Sequence, residues 1–511
     1  MTALVSSATA QAAAERPIPQ LSRNSVTLGG ALFVAVTTMA PGAGACFAIV
    51  SGANFAGGAL PTSVIIALVG CLFVAVAVGQ LAKHIPSAGG VSTYIAEAIH
   101  SGPGFIAAWA YPAVFISALG YLSLIFGDLL ATSLVPSGKG TTFQVLWIVG
   151  AVGCLALAGG MNWYGIKFGT RIGMILGALE IAVLVILSVW MIVKAGDRNT
   201  LSVIGTHYSN VKGFTGTSGI VGGSIYGFLA FVGFEAAAPL GEEATEPKKT
   251  IPRAVVGSAL VVGVFFFFTT YASDVFYGPS RMGSFLSYGN GDPWIALTKV
   301  VWGGGWVVLL ITLLNSSLAC SNAAGIASTR TWWAMGRIKT MPARFSHTHP
   351  RWNSPSFSIA VVFGIGMVLA LWLGEQFTPT LAYELMGTVL TIMILPIYFV
   401  VALACPVYYF RRRRDELNWF VHVVIPILGM AFLVPAFLTG AGVGVFSFVA
   451  PLTYPLSLAG PAVAVWYGLG IGIMLYLKKR HPERLKATAE VFLDDTPAEE
   501  EEMMLATRSA V

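Results

Sequence analysis

The sequence predicts an all-α integral membrane protein of about 12 transmembrane helices, and three observations carry that prediction. Of 511 residues, 56% are hydrophobic and only 10% charged, with mean hydropathy +0.77. A soluble chain of this length could not hide so much apolar surface. The apolar residues gather into runs that reach the ~20 residues a hydrocarbon crossing requires. Lysine and arginine, finally, crowd into alternate connections between those runs.

In order, the spans are expected near 26–53, 60–82, 104–134, 143–162, 170–194, 219–241, 252–278, 300–330, 356–374, 380–410, 418–440 and 455–477. The tenth is the least uniform, because Glu384 and Pro396 interrupt it. With the N-terminus inside, the cytoplasmic connections hold 23 Lys and Arg, among them Lys83, Lys167, Arg171, Lys248, Lys249, Arg253, Arg411–Arg414 and Lys478–Arg480. The outer connections hold six: Lys139, Lys194, Arg198, Lys212, Arg281 and Lys299. This asymmetry puts both termini in the cytoplasm of a multi-pass cell-membrane protein. The net charge of +6 is thus a topology signal, and no nucleic-acid partner is expected. Residues 1–25 lack a basic region followed by an apolar core, so the first span is its own insertion signal. The acidic tail 479–511, with its "DDTPAEEEEMM", has no apolar period and is expected to be disordered. Cys46, Cys71, Cys154, Cys320 and Cys405 show no metal spacing and read as packing residues; no cofactor is expected.

Two spans are interrupted. The first contains "APGAGACF", where Pro41 removes an amide donor and Gly42 and Gly44 loosen the backbone. The sixth runs into "FVGFEAAAPLGEEATEPKKTIPRA", with Gly233 between two phenylalanines and Pro239 beyond. Unwound backbone survives at membrane depth only when buried in protein or lining a cavity. Breaks five spans apart point to an inverted repeat with a binding site between its halves. The repeats would cover about 26–194 and 219–410, with extra helices at about 418–477, all inside a transporter domain of 26–478.

Four segments carry a family resemblance: the sixth-span stretch just quoted, "IPSAGGVSTY" between spans two and three, "STRTWWAMGRIKTMP" ending span eight, and "HPRWNSPS" entering span nine. In this order and spacing the chain resembles the amino acid–polyamine–organocation superfamily of transporters. That resemblance implies a LeuT-like 5+5 inverted repeat with discontinuous helices 1 and 6, plus two C-terminal helices outside the repeat. It also implies secondary transport of amino acids or related amines. Where many members carry Gly-Ser-Gly at the first break, this chain has Ala43-Gly44-Ala45, which adds two methyls and removes a hydroxyl. "APGAGACFAIVSG" with "GGALP" looks more like the branch that includes putrescine and other amine importers.

A broken helix frees amides at the start of one half and carbonyls at the end of the other. The substrate-binding candidates are therefore Ala40, Ala43, Gly44, Ala45 and Cys46, whose amides can hold a carboxylate. Phe231, Gly233 and Phe234 join them, with carbonyls and aromatic faces suited to an ammonium. Tyr121 and Asn315 are added from spans three and eight. Glu235 is a candidate gate or amine partner, since a charge at this depth is costly and faces the bundle interior. Glu180 shares the face of Gly169, Gly173 and Gly177, about 13 Å along the helix from Arg171. It is the candidate for proton coupling, at a position where the resemblance implies an ionisable residue, often Lys. Glu242, Glu243, Lys248, Lys249 and Arg253 are expected to close the inner face, with Arg330 and Arg337 either latching to them or anchoring the span. Asp128 and Asp274 are expected at the outer interface.

The reading is a proton-coupled permease importing an amino acid or small organic amine by alternating access. Its partners would be that substrate, the proton and the bilayer; oligomeric state is left open. An exchanger without net proton flow remains an alternative, as does a substrate-sensing receptor, which the short tails disfavour. An enzyme is not expected, since no H-E-x-x-H or G-x-S-x-G motif occurs.

Overall fold

The computed structural model describes residues 26–85, 89–135, 139–164, 170–241, 244–352 and 354–490. The expected tail 1–25, residues 491–511 of the tail expected at 479–511, and Lys167, Gly169, Glu242 and Glu243 lie outside the described residues. Among those described, 11 helical stretches are long and apolar enough to cross a membrane. One of them, Leu28–Ala82, is 55 residues long. As a single helix it would measure about 80 Å, more than twice a hydrocarbon core. A turn through Gly57 (φ +57°) divides it, so it holds the first and second expected spans.

The remaining spans follow in the expected order. They are Ser101–Leu134, Thr141–Tyr164, Thr170–Ala195, the broken sixth beginning at Thr217–Phe231, Pro247–Tyr277, Trp306–Arg337, Ser356–Gln376, Pro379–Arg412, Phe420–Ala441 and Leu456–Arg480. Apolar side chains remain exposed on several of them, Val193, Ile311, Val368 and Val465 among these, where lipid would cover them. Shorter elements lie between and beyond the spans, and one of them, a helix, corrects the disorder expected from 479 onward, over its own residues. A two-stranded ribbon pairs Asn210–Val211 with Phe214–Thr215 before the sixth span, and a short polar helix covers Pro482–Glu490.

Both expected interruptions are present. The first span is helical over Leu28–Thr38, turns through Ala40 in the left-handed region (φ 45°), and restarts at Pro41. Pro41 suits the restart, because its missing N–H would have no helical partner at that position. The helix then loosens into a π-turn over Gly44–Ala48. The sixth span stops at Phe231, passes through an extended Val232 and Gly233 (φ 118°), and resumes as a 3-10 helix over Phe234–Leu240.

The two breaks pack directly on one another. A Cβ added at Gly233 would meet Thr38 Cγ2 at 2.8 Å and the Thr38 carbonyl carbon at 2.9 Å. Their halves on the lysine- and arginine-rich side are also tied, by a bridge between Val26 and Ala244 and a 3.0 Å bond from the Thr245 amide to the Val26 carbonyl. Asp128 and Asp274, expected at an interface, are instead buried, at 4% and 0% exposure. Asp128, on the third span, accepts from Thr380 Oγ1 of the tenth at 3.2 Å.

Gly233→Ala should lower stability by more than about 2 kcal/mol, since left-handed backbone costs a side chain about 1–2 kcal/mol and overpacking adds about 1–3. Gly160→Ala, inside the fourth span where nothing lies within 4 Å of the added methyl, is the control and should leave the melting temperature the same or slightly raised. Thermal unfolding of both purified variants checks the pair.

Candidate functional site

Breaking a helix at membrane depth releases backbone groups that lipid cannot satisfy. At the first break, side chains from two other spans take them. Glu180 of the fifth span accepts through Oε1 from the Gly42 amide and from Ser316 Oγ of the eighth span, the latter at 2.7 Å. Ser316 Oγ also accepts from the Ala43 amide at 3.1 Å. Gly44 donates to the Ala40 carbonyl at 2.7 Å, and the Cys320 thiol donates to the Thr38 carbonyl at 3.3 Å. A carboxyl therefore sits at the amide end of the restarted helix, where the helix dipole favours negative charge.

Local sequence explains why Glu180 reaches this point. Gly177, one turn earlier, lets the fifth span approach Phe33 and Thr37 of the first, both 3.4 Å from where its Cβ would stand. Gly42 is equally constrained, because its Cβ would lie 2.6 Å from Glu180 Oε1. Glu180 is 3% exposed and faces protein.

At the sixth break, Glu235 takes the corresponding part. Its Oε2 accepts from the Gly233 amide at 3.1 Å and from Tyr398 Oη at 2.7 Å, and its Oε1 accepts from Tyr111 Oη at 3.4 Å. Glu235 thus bridges the sixth span to the third and tenth. The Gly233 carbonyl is engaged as well, accepting from Ala236 at 3.0 Å.

Between the breaks lies a cavity of about 40 Å³, walled by residues of spans one, three, six, eight and ten. Of the expected contacts, Ala40, Ala43, Gly44 and Tyr121 line it. Ala45, Cys46, Asn315 and Gly233 do not, and neither do Phe231 and Phe234. Phe231 meets Phe266 edge-on at 5.5 Å and Phe234 stacks at a tilt on Tyr398 at 5.0 Å, so both rings pack within the bundle. Val232, between them, forms the wall. A volume of this size holds a few waters, at about 10–15 Å³ each, and is too small for any amino acid. A larger cleft of about 400 Å³ between the fourth and ninth spans has no charged side chain in its wall.

Sequence reasoning missed Ser316 and Cys320, which both contact the first break, and the tyrosines that hold Glu235. Ser316 adjoins the expected Asn315, but only the register between spans one and eight selects the serine. On the lysine- and arginine-rich side, Glu97 pairs with Arg412 at 2.6 Å and Glu246 with Lys249 at 2.9 Å. Arg337 lies over the Trp333 ring at 4.9 Å.

Twelve crossings among the described residues, two broken helices meeting at their breaks, and a cavity ringed by five spans define a polytopic membrane permease. A family described as amino acid permease matches residues 28–476, and the chain belongs to it, within the superfamily its motifs resemble. The low-affinity putrescine importer PlaP of Escherichia coli (strain K12) is 28% identical over 335 residues, covering 63% of this chain and 69% of the importer. The serine/threonine exchanger SteT of Bacillus subtilis (strain 168) is 25% identical, covering 77% of this chain and 84% of its own. The branched-chain amino acid permease BcaP of Lactococcus lactis subsp. cremoris (strain MG1363) is 27% identical, over 71% and 77% respectively. The family and these relatives are transporters, not enzymes.

Ser316→Ala would strip the Ala43 amide of its acceptor and Glu180 of a donor, each a buried loss of about 1–3 kcal/mol. A double-mutant cycle with Glu180→Gln should give a coupling energy above about 0.5 kcal/mol, read by denaturant or thermal unfolding, because the two groups touch.

Proposed function

We propose that the protein is a secondary active transporter that imports an amino acid or small organic amine by alternating access, coupled to protons. Its lysine- and arginine-rich side would face the cytoplasm. The observation that carries this reading is the position of Glu180, a buried carboxyl joined to the amide end of the first break and to the eighth span.

As a carboxylate, Glu180 holds the restarted helix by accepting two charge-assisted bonds at Oε1, from the Gly42 amide and from Ser316 Oγ. A proton removes the charge that the helix end favours and loosens the hold. The first span can then hinge at Ala40, whose left-handed backbone is the strained point. The collapsed cavity must widen for a substrate to enter, so substrate and proton would act on the same two-state element. The Glu235 clasp to Tyr111 and Tyr398 would close the path on the cytoplasmic side of the cavity.

Similarity to a serine/threonine exchanger supports exchange as a second reading. Uptake by the purified protein in liposomes separates the two, with labelled amino acids and amines run with and without an inward proton gradient. The expected outcome is gradient-driven accumulation that falls at least tenfold in Glu180→Gln while substrate binding is retained. Gradient-independent counterflow, equal in wild type and variant, would instead establish exchange and leave Glu180 a structural acid.

A further inference from the structure

One acidic side chain near the cavity has fewer donors than Glu180 and Glu235. Glu384, on the tenth span, is 2% exposed, and its Oε1 has no hydrogen-bond partner. The carboxyl has one hydroxyl neighbour, Ser51 of the first span, which it shares with the Phe47 carbonyl at 3.1 Å. Among the described residues, no lysine, arginine or histidine forms an ion pair with it. A carboxylate in a membrane interior with a single shared hydroxyl and no cation beside it is expensive, which marks it as a group able to take one.

Its surroundings fit an organic ammonium. The Tyr383 ring meets Tyr121 edge-on at 5.9 Å and Phe47 at 6.2 Å, and aromatic faces attract cations. The hydroxyls of Tyr121 and Tyr383 are also buried without partners. Tyr121 lines the cavity, as does Leu390, six residues or about 9 Å along the tenth span from Glu384. Between them, Gly387 allows close approach, for its Cβ would lie 3.3 Å from the Tyr121 ring. Unpartnered oxygens thus lie on Glu384 and on a tyrosine that forms the cavity wall.

A second observation bears on the other end of the substrate. The amides of Gly42, Ala43 and Gly44, where a substrate carboxylate was expected, already have acceptors supplied by Glu180, Ser316 and Ala40. The break therefore carries its own carboxylate, while Glu384 on the tenth span keeps an oxygen unmatched.

Resting on the transport reading above, we propose that Glu384 is the acceptor for a substrate ammonium, and that the substrate class is an aliphatic amine or diamine without a carboxylate. Tyr383 and Tyr121 complete the cation site with ring faces and hydroxyl oxygens.

The test uses the full-length protein in liposomes and in a binding assay, with labelled putrescine and labelled leucine as probes. Wild type should take up putrescine, with leucine failing to compete. Glu384→Gln, isosteric and uncharged, should weaken putrescine binding at least 30-fold while leaving the melting temperature in place. Tyr383→Phe keeps the ring and removes one oxygen; it should weaken putrescine binding about fivefold, and it decides the matter if Glu384→Gln does not fold. Wild-type putrescine affinity in either folded variant overturns the proposal. So does a wild type that transports leucine and ignores putrescine, which would leave the transport reading intact. A wild type that moves neither these probes nor any of a wider amine and amino-acid panel overturns both.

Discussion

Every backbone group released by the two breaks has to find a partner inside the protein, because hydrocarbon supplies none. That constraint organises the centre of the molecule. It brings Glu180 and Ser316 to the amides of Gly42 and Ala43, Cys320 to the carbonyl of Thr38, and Glu235 to the amide of Gly233. Each partner comes from a different turn or span, so satisfying the breaks also fixes how the spans stand against one another.

The two breaks solve the problem differently. At the first, the capping acid arrives from another span, so the hold on the helix end is an interhelical contact that can be made or released. At the sixth, the acid lies two residues from the glycine it caps and reaches outward to Tyr111 and Tyr398. The Gly233–Thr38 contact joins the two arrangements into one unit, since a side chain at 233 would push the spans apart. A cavity bounded by both breaks therefore changes size only if these contacts rearrange, which is the physical basis for reading the centre as a hinge.

Much of this was legible in the sequence. Span number and order follow from apolar run length, and the break points follow from Pro41 and from Gly233, which only a residue without Cβ tolerates at φ 118°. Glu180 and Glu235 stood out because ionisable groups at membrane depth need a reason. Ser316, Cys320, Tyr111 and Tyr398 did not stand out. Serines, cysteines and tyrosines are ordinary in membrane helices, and what selects these four is the register between spans distant in sequence. Phe231 and Phe234 show the converse. Their position beside the break was evident, but their rings fill space against Phe266 and Tyr398 rather than facing the cavity. Glu384 carried a signal, as an acid interrupting the tenth span, whose meaning emerges only from the donors it lacks.

The central claim is that the charge on Glu180 holds the restarted first helix in place. Hydrogen–deuterium exchange of peptides spanning residues 39–48, measured in lipid nanodiscs at acidic and alkaline pH and corrected for intrinsic rates, tests it most directly. The account predicts that these amides lose protection as the medium is acidified, and that Glu180→Gln shows the unprotected rate at every pH. Protection that stays the same across pH in the wild type, or that persists in the variant, would contradict it.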